Sequence, residues 1–196
     1  MDRLGLLRRL ALASVILAFV VMVLGAWVKA NGAGLSCPDW PACYGEVLPP
    51  FPSADNGGTW HGAPVVYTQA QELYEWTHRA VVSILAVPLF WFAFAAYRTD
   101  VRPALRYLPG LGAALYLVQA GLGAVTVVTG NPPWATTLHL ATAATFLATL
   151  TAAATLAVAA PRITVPAEPP TAESPDAEEA PKGFTGYVYP DEAKHG

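Results

Sequence analysis

The sequence has few charged residues. Asp, Glu, Lys and Arg make up 13% of its 196 residues, whereas 54% are hydrophobic. Soluble domains carry roughly 25% charged residues, so the deficit excludes an ordinary soluble domain for most of the chain. The net charge is only −3, and the charges are segregated along the chain. We therefore expect a lipid bilayer as the surroundings of this chain, and no nucleic-acid partner.

Four stretches are long and apolar enough to cross a bilayer, which takes about 20 mostly apolar residues. They lie at about 10–28, 76–97, 106–128 and 135–160. The predicted fold class is all-α: an integral membrane four-helix bundle with a long outer loop between helices 1 and 2. These spans form one domain over residues 1–160. The first stretch could also be a cleaved signal peptide, but its apolar run is longer than the usual h-region, which favours a retained helix.

Basic residues predict the orientation, because cytoplasmic loops carry an excess of Lys and Arg. Three arginines precede the first span, and three more surround the connection between spans 2 and 3. The loop from Lys29 to Glu75 has a single basic residue. The chain is therefore predicted to be a multi-pass cell-membrane protein with both termini in the cytoplasm and this loop outside. Tryptophans at the predicted outer helix ends agree with this orientation; they are Trp27, Trp76 and Trp134.

The last segment, residues 161–196, is rich in Pro, Glu and Ala and has few residues able to form a core. This composition is typical of a disordered segment, so a disordered cytoplasmic tail is predicted. The aromatic residues between Gly183 and Tyr189 leave an interaction role open as an alternative to a solvated tail.

Cysteine is scarce, and both cysteines fall in the long outer loop. Cys37 and Cys43 are six residues apart in a segment whose prolines and glycines favour tight turns. Outside the cell they are expected to form a disulfide. The bond is either a structural staple or a redox-active pair. Two thiolates fall short of a closed zinc site.

Two histidines lie inside predicted spans, where ionisable groups mark functional sites. His78 follows Trp76 by two residues and His139 follows Trp134 by five. Both spans run inward, so the two imidazoles differ in depth by about 4–5 Å. Heme iron takes axial histidines, and helical bundles build such sites from facing helices. We therefore predict a heme held between His78 and His139; interhelical hydrogen bonding is the alternative.

Two further residues accompany His78. Arg79 suits a carboxylate and is predicted to pair with a heme propionate. Glu75 shares a helix face with His78 at i, i+3. Its carboxylate either moves protons beside the heme or is an ordinary acid near a helix N-terminus, where the helix dipole favours it.

Three segments together resemble the heme A synthase family. GLSCPDWPACYG, from Gly34 to Gly45, resembles the outer-loop signature of that family. EWTHR, from Glu75 to Arg79, resembles its span-two heme motif, and Gln119 to Ala143 resembles the segment ending in the second histidine. The blocks occur in the family's order. A lone E-x-x-H would be weak evidence, whereas the set is specific.

The resemblance implies an oxidoreductase that converts heme O to heme A, changing the C8 methyl group to a formyl group for terminal oxidase assembly. It implies His78 and His139 as axial ligands of the heme iron and Glu75 as the catalytic carboxylate. The alternative is a non-catalytic electron-transfer or heme-carrier protein that holds heme b, because two axial histidines saturate the iron. A quinone-linked disulfide oxidoreductase is a third reading, but it generally needs two cysteine pairs.

The chain departs from the family in its length. Typical members have eight spans in two similar halves, and this chain resembles the half that carries the cysteines and the glutamate. The expected partners are the heme O substrate and either a second copy in a homodimer or a separate protein that supplies the other half. Heme O synthase and a terminal oxidase subunit are further expected partners.

Overall fold

The computed structural model describes residues 3–53, 55 and 57–160. Four long helices dominate it: α1 (Arg3–Ala30), α2 (Gln69–Tyr97), α3 (Pro103–Val128) and α4 (Pro133–Ala159). All four are long and apolar enough to cross a membrane. The predicted all-α membrane bundle is therefore confirmed. The predicted disordered tail lies outside the described residues.

The helices form a ring. α1 packs on α2 and α4, and α3 packs on the same two helices, so α2 and α4 lie on a diagonal of the bundle. Buried apolar side chains fill the half of the bundle that contains the start of α1. One layer includes Leu7, Phe92 and Ala153, and the next includes Leu85 and Phe146. This apolar core therefore joins all four helices at one end.

Helix α2 begins seven residues before the predicted start at Trp76. Thr68 caps it: the Thr68 hydroxyl accepts a hydrogen bond from the Gln71 backbone N–H, and the Gln71 side chain accepts one from the Thr68 backbone. This reciprocal capping satisfies two backbone donors and sets the helix start. Hydropathy places the start too late because the first two turns contain polar residues. Trp76 is thus inside the helix, and its indole N–H donates to the Val47 carbonyl at 2.7 Å.

Helices α1 and α3 end in the same way. After α1, Gly32 has a φ of 63°, and after α3, Gly130 has a φ of 75°. Each glycine N–H bonds back to a carbonyl in the last turn, and the next residue bonds one position deeper. This is the Schellman pattern, which requires a left-handed residue that glycine adopts without strain. Two helices thus stop with identical geometry at one end of the bundle.

The two connections at that end differ greatly in length. Residues 129–132 join α3 to α4, whereas residues 31–68, called here the Cys loop, join α1 to α2. The Cys loop contains two short antiparallel strands, β1 (Thr59–Trp60) and β2 (Ala63–Pro64). Its own small core includes both cysteines with Tyr44, Phe51 and Val65. The predicted long loop is therefore a folded cap on one end of the bundle.

Candidate functional site

His78 and His139 lie on the diagonal helices α2 and α4, and both are half-buried. Each imidazole packs against a glycine of the preceding helix: His78 against Gly25 of α1, and His139 against Gly123 of α3. Each glycine lies five residues before the last residue of its helix. The histidines therefore occupy one level of the bundle, near the Cys loop.

Each imidazole has a buried ring nitrogen without a hydrogen-bond partner, and His139 also has a polar contact. The Gln119 side-chain nitrogen lies 3.3 Å from Nε2 of His139. Nδ1 of both histidines is buried without a hydrogen-bond partner. The Gln119 amide nitrogen only donates, so Nε2 of His139 is the acceptor in this contact. The two histidines are the candidate metal ligands at this level.

Few side chains are fully buried at the level of the histidines. In α2 no residue is buried between His78 and Leu85, and in α4 none is buried between Ala135 and Phe146. Helix α3 has no buried residue after Ala113. Leu85 and Phe146 each lie seven residues past the histidine of their helix, about 10 Å along the axis. The histidines therefore lie outside the tightly packed apolar core.

Glu75 is buried next to His78 and holds the Cys loop. Only 4% of the residue is exposed. Its Oε2 accepts the Cys37 backbone N–H at 2.9 Å and the Ser36 hydroxyl at 3.1 Å. Its Oε1 pairs with the Arg79 guanidinium at 2.6 Å. Glu75 is therefore a paired carboxylate beneath the Cys loop, not an acid at the bundle surface.

Arg79 binds the Cys loop with the rest of its terminal donors. One terminal nitrogen donates to the carbonyls of Asp39 and Ala42, at 2.6 and 2.5 Å. The other donates to the Cys37 carbonyl at 3.0 Å as well as to Glu75. These four contacts use the four hydrogens of the two terminal nitrogens. The predicted contact with a heme propionate stays a prediction, and Nε is the donor outside these four contacts.

A second buried carboxylate, Glu72, was not anticipated from the sequence. It is fully buried, and neither carboxylate oxygen has a hydrogen-bond partner. Tyr44 of the Cys loop is its neighbour; burial, together with the charge of Glu72, raises the pKa of Tyr44 above its ordinary value. The Tyr44 hydroxyl therefore keeps its proton at neutral pH. Burial of Glu72 depends on how the Cys loop folds over α2, which hydropathy cannot show.

The predicted disulfide is confirmed. Cys37 and Cys43 are bonded, with their Cα atoms 4.6 Å apart. Both are buried in the core of the Cys loop. Because the Cys37 backbone N–H donates to Glu75, the bonded loop sits directly over the carboxylate beside His78.

Comparison with known proteins identifies the family of this chain. Residues 8–188 match the COX15-CtaA family, described as cytochrome oxidase assembly protein. The chain belongs to the COX15-CtaA family. The three segments that resemble heme A synthases all lie within the matched residues, as do the four helices from Arg8 onward. The family match covers both histidines and both cysteines. No solved structure matches the chain.

Curated relatives include heme A synthases. The protein from Shewanella oneidensis is 27% identical over 128 residues, which are 65% of this chain and 38% of the relative. The protein from Methylobacterium nodulans is 35% identical over 143 residues, 70% of this chain and 37% of the relative. A Thermus thermophilus protoheme IX farnesyltransferase is 33% identical over 117 residues, 57% of this chain and 16% of the relative. This family member thus spans less than half of the heme A synthases it matches.

Gln119 is a site residue that the sequence reasoning did not assign. In this family member its Nε2 donates to the His139 carbonyl at 2.9 Å and also touches the imidazole. A polar side chain inside a predicted span is a signal that could have found it. The sequence cannot show which helix it faces, because that depends on the packing of α3 against α4.

Replacing Gln119 with leucine is expected to weaken heme binding by about 10-fold, because loss of an orienting partner typically costs 10–100-fold in metal affinity. The measurement is a heme titration of the purified protein followed by its absorbance. Tyr116→Phe is the matched control, since Tyr116 lies one turn away on α3 and its hydroxyl donates to the Val82 carbonyl rather than to a histidine. Equal affinities for Gln119→Leu and the unmodified protein would rule out the orienting role.

Proposed function

We propose that this protein binds heme between His78 and His139. The observation that carries the proposal is the pair of half-buried imidazoles on diagonal helices, each with a buried ring nitrogen that has no hydrogen-bond partner. Family membership supports it, because heme A synthases are among the relatives. The lack of fully buried side chains between the histidines and the apolar core also supports a ligand there. Interhelical hydrogen bonding alone does not explain why Nδ1 of both histidines is buried without a hydrogen-bond partner.

We further propose that the reaction is the oxidation of heme O to heme A, in which the C8 methyl group becomes a formyl group. The added oxygen would come from water, and the electrons removed from the methyl carbon would pass to an electron acceptor outside this histidine pair. The chain's own residues would hold and orient the heme: His78 and His139 as ligands, with Gln119 fixing the His139 ring. Glu75 would accept a proton or stabilise positive charge that develops at the oxidised carbon. Its burial and its position one turn from His78 support that role.

The proposed orientation places the Cys loop outside the cell and both termini in the cytoplasm. The arginine distribution supports it. In this orientation the heme site lies beneath the outer surface, covered by the disulfide-bonded loop. Protons released there would leave through the Cys loop rather than through the apolar core, which fills the opposite half of the bundle.

A non-catalytic heme b carrier or electron-transfer protein is the second candidate. Two histidine ligands leave no open position on the iron, which favours electron transfer. The paired state of Glu75 also favours this candidate, because a carboxylate bound to Arg79 and to the Cys loop is already satisfied.

The length of the chain bears on its proposed partners. It spans 38% of the Shewanella heme A synthase, so a second copy or a separate protein would supply the other half of the assembly. A relative named protoheme IX farnesyltransferase contains a segment similar to this chain within 16% of its length. This similarity supports an enzyme that farnesylates protoheme as the supplier of substrate. A terminal oxidase subunit is the proposed recipient of the product.

Expression in cells that make heme O but not heme A tests the function. We expect extracted heme to contain heme A and its hydroxylated precursor, separated by chromatography. Cells carrying the vector alone provide the baseline. Recovery of heme b alone from the purified protein, with no heme A in the membranes, would favour the carrier. A purified protein without any heme would refute both candidates.

A further inference from the structure

Helices α1 and α3 carry the same short sequence at the level of the histidines. Leu24-Gly25-Ala26 in α1 and Leu122-Gly123-Ala124 in α3 are identical triplets. In each helix a left-handed glycine, Gly32 or Gly130, follows the triplet glycine by seven residues and closes the helix with the Schellman pattern. The two helix hairpins of the bundle, α1 with α2 and α3 with α4, therefore repeat one arrangement of glycine, helix end and histidine.

Both triplet glycines face an imidazole. A Cβ atom added to Gly25 would lie 3.1 Å from Cε1 of His78, with the two ring nitrogens at 3.6 and 3.7 Å. A Cβ added to Gly123 would lie 3.4 Å from Cε1 of His139. In both cases the carbon between the two ring nitrogens points at the glycine. One edge of each ring therefore rests on helix backbone.

Helix packing does not account for these glycines. A Cβ on Gly112 would collide with the Leu150 side chain at 2.7 Å, which is the pattern of a glycine that lets two helices approach. For Gly25 the three nearest atoms all belong to His78, and for Gly123 the one atom within 4 Å belongs to His139. Gly110 and Gly121, in the same helix as Gly123, would meet nothing. Glycine at positions 25 and 123 therefore leaves room for a histidine ring.

We infer that Gly25 and Gly123 are positioning residues that set the rotation of the two imidazoles proposed to hold the heme. This inference rests on the proposed heme binding. A ring whose Cε1 edge rests on helix backbone has little freedom to turn about its own bonds. The direction of its ring nitrogens is then restricted. The relative rotation of two axial imidazoles affects the electronic state of the iron, and the protein tunes such centres through its ligands.

A Cβ atom would lie closer to the imidazole at position 25 than at position 123, so alanine is expected to have the larger effect at position 25. Carbon atoms pack best at about 3.5–4.0 Å. Alanine at position 25 would therefore push the His78 ring by a few tenths of an ångström, whereas alanine at position 123 would meet the His139 ring at nearly normal contact. The effect on the heme should be large for Gly25→Ala and smaller for Gly123→Ala.

The test uses the full chain, purified in detergent and loaded with heme b. Heme affinity and the electron paramagnetic resonance spectrum of the ferric protein are measured for Gly25→Ala, Gly123→Ala and Gly121→Ala. We expect Gly25→Ala to shift the highest g value and to weaken heme binding by about 10-fold, as loss of an outer positioning contact does. Gly123→Ala should give a smaller shift in the same property. Gly121→Ala is the matched control and should equal the unmodified protein.

Gly112→Ala separates positioning from packing: it should lower thermal stability without moving the g value. If Gly25→Ala does not fold, Gly123→Val replaces it, because its branched side chain reaches further toward the His139 ring. An unshifted spectrum and unchanged affinity in the folded Gly25→Ala or Gly123→Val protein would overturn the inference while leaving heme binding intact. An unmodified protein that takes up no heme would overturn the proposed function and this inference together.

Discussion

Replacing His78 or His139 with alanine is expected to reduce heme affinity by at least about 100-fold, because removal of an outer-shell partner alone costs 10–100-fold. Each imidazole presents a buried nitrogen with no protein partner, so its loss removes a proposed ligand. It also removes the packing of the ring on Gly25 or Gly123, so some loss of thermal stability is expected and affinity is compared for the folded proteins. The measurements are heme per purified chain and the absorbance of the reduced protein.

His61→Ala is the matched control for the histidine variants. His61 lies in the Cys loop, where its ring stacks near that of Trp60 with 4.4 Å between centroids. It should leave heme content unchanged. Added imidazole should restore part of the heme binding of a His78→Gly protein, since the small ligand can enter the space left by the side chain. Full heme content in both alanine variants would refute the proposed ligands.

Replacing Glu75 with glutamine is expected to lower heme A production by about 100-fold while heme stays bound, since a positioned acid or base typically contributes 10²–10⁴-fold. Glutamine keeps the shape and can still accept the Cys37 N–H, but it cannot carry the charge or the proton. Glu75→Ala should be worse, because it also removes every acceptor for Arg79, Ser36 and the Cys37 N–H. Breaking a buried pair of this kind costs about 3–5 kcal/mol.

Two measurements separate these effects: chromatography of extracted hemes for activity, and thermal unfolding for stability. Glu72→Gln makes the same chemical change one turn away at another fully buried carboxylate, and it should retain heme A production. If Glu75→Gln produces heme A at the unmodified rate, the carboxylate has no catalytic part and its role is to hold the Cys loop. Equal losses in both glutamine variants would indicate a general effect of removing a buried charge.

Much of the fold could be predicted from the sequence because the bilayer imposes strong local rules. Four long apolar runs become four helices, and two cysteines confined to one loop become its disulfide. His78 and His139 stand out because histidine is rare inside apolar runs. The starts of helices are harder to predict from the sequence. Helix α2 begins at Gln69 because Thr68 and Gln71 cap each other, and a hydropathy profile does not detect a hydrogen-bonded cap.

The contacts around the histidines could not be predicted for a different reason. They join residues far apart in the chain, so no local pattern specifies them. Arg79 satisfies three carbonyls of the Cys loop, although its position beside His78 indicates a ligand contact. The triplets at Gly25 and Gly123 are visible in the sequence as a repeat. Their meaning depends on which side chain each glycine faces, and only the packed helices determine that.

The difference between the two helix connections makes the site electrostatically one-sided. His78 shares its helix with a carboxylate and a guanidinium, both tied to the long capped connection. His139 lies on a helix whose sequence contains no Asp, Glu, Lys or Arg, and a neutral amide is its polar neighbour. A symmetric ring placed between them would therefore meet ionic groups across one face and none across the other. A molecule bound between the two similar hairpins would therefore have different electrostatic surroundings on its two faces.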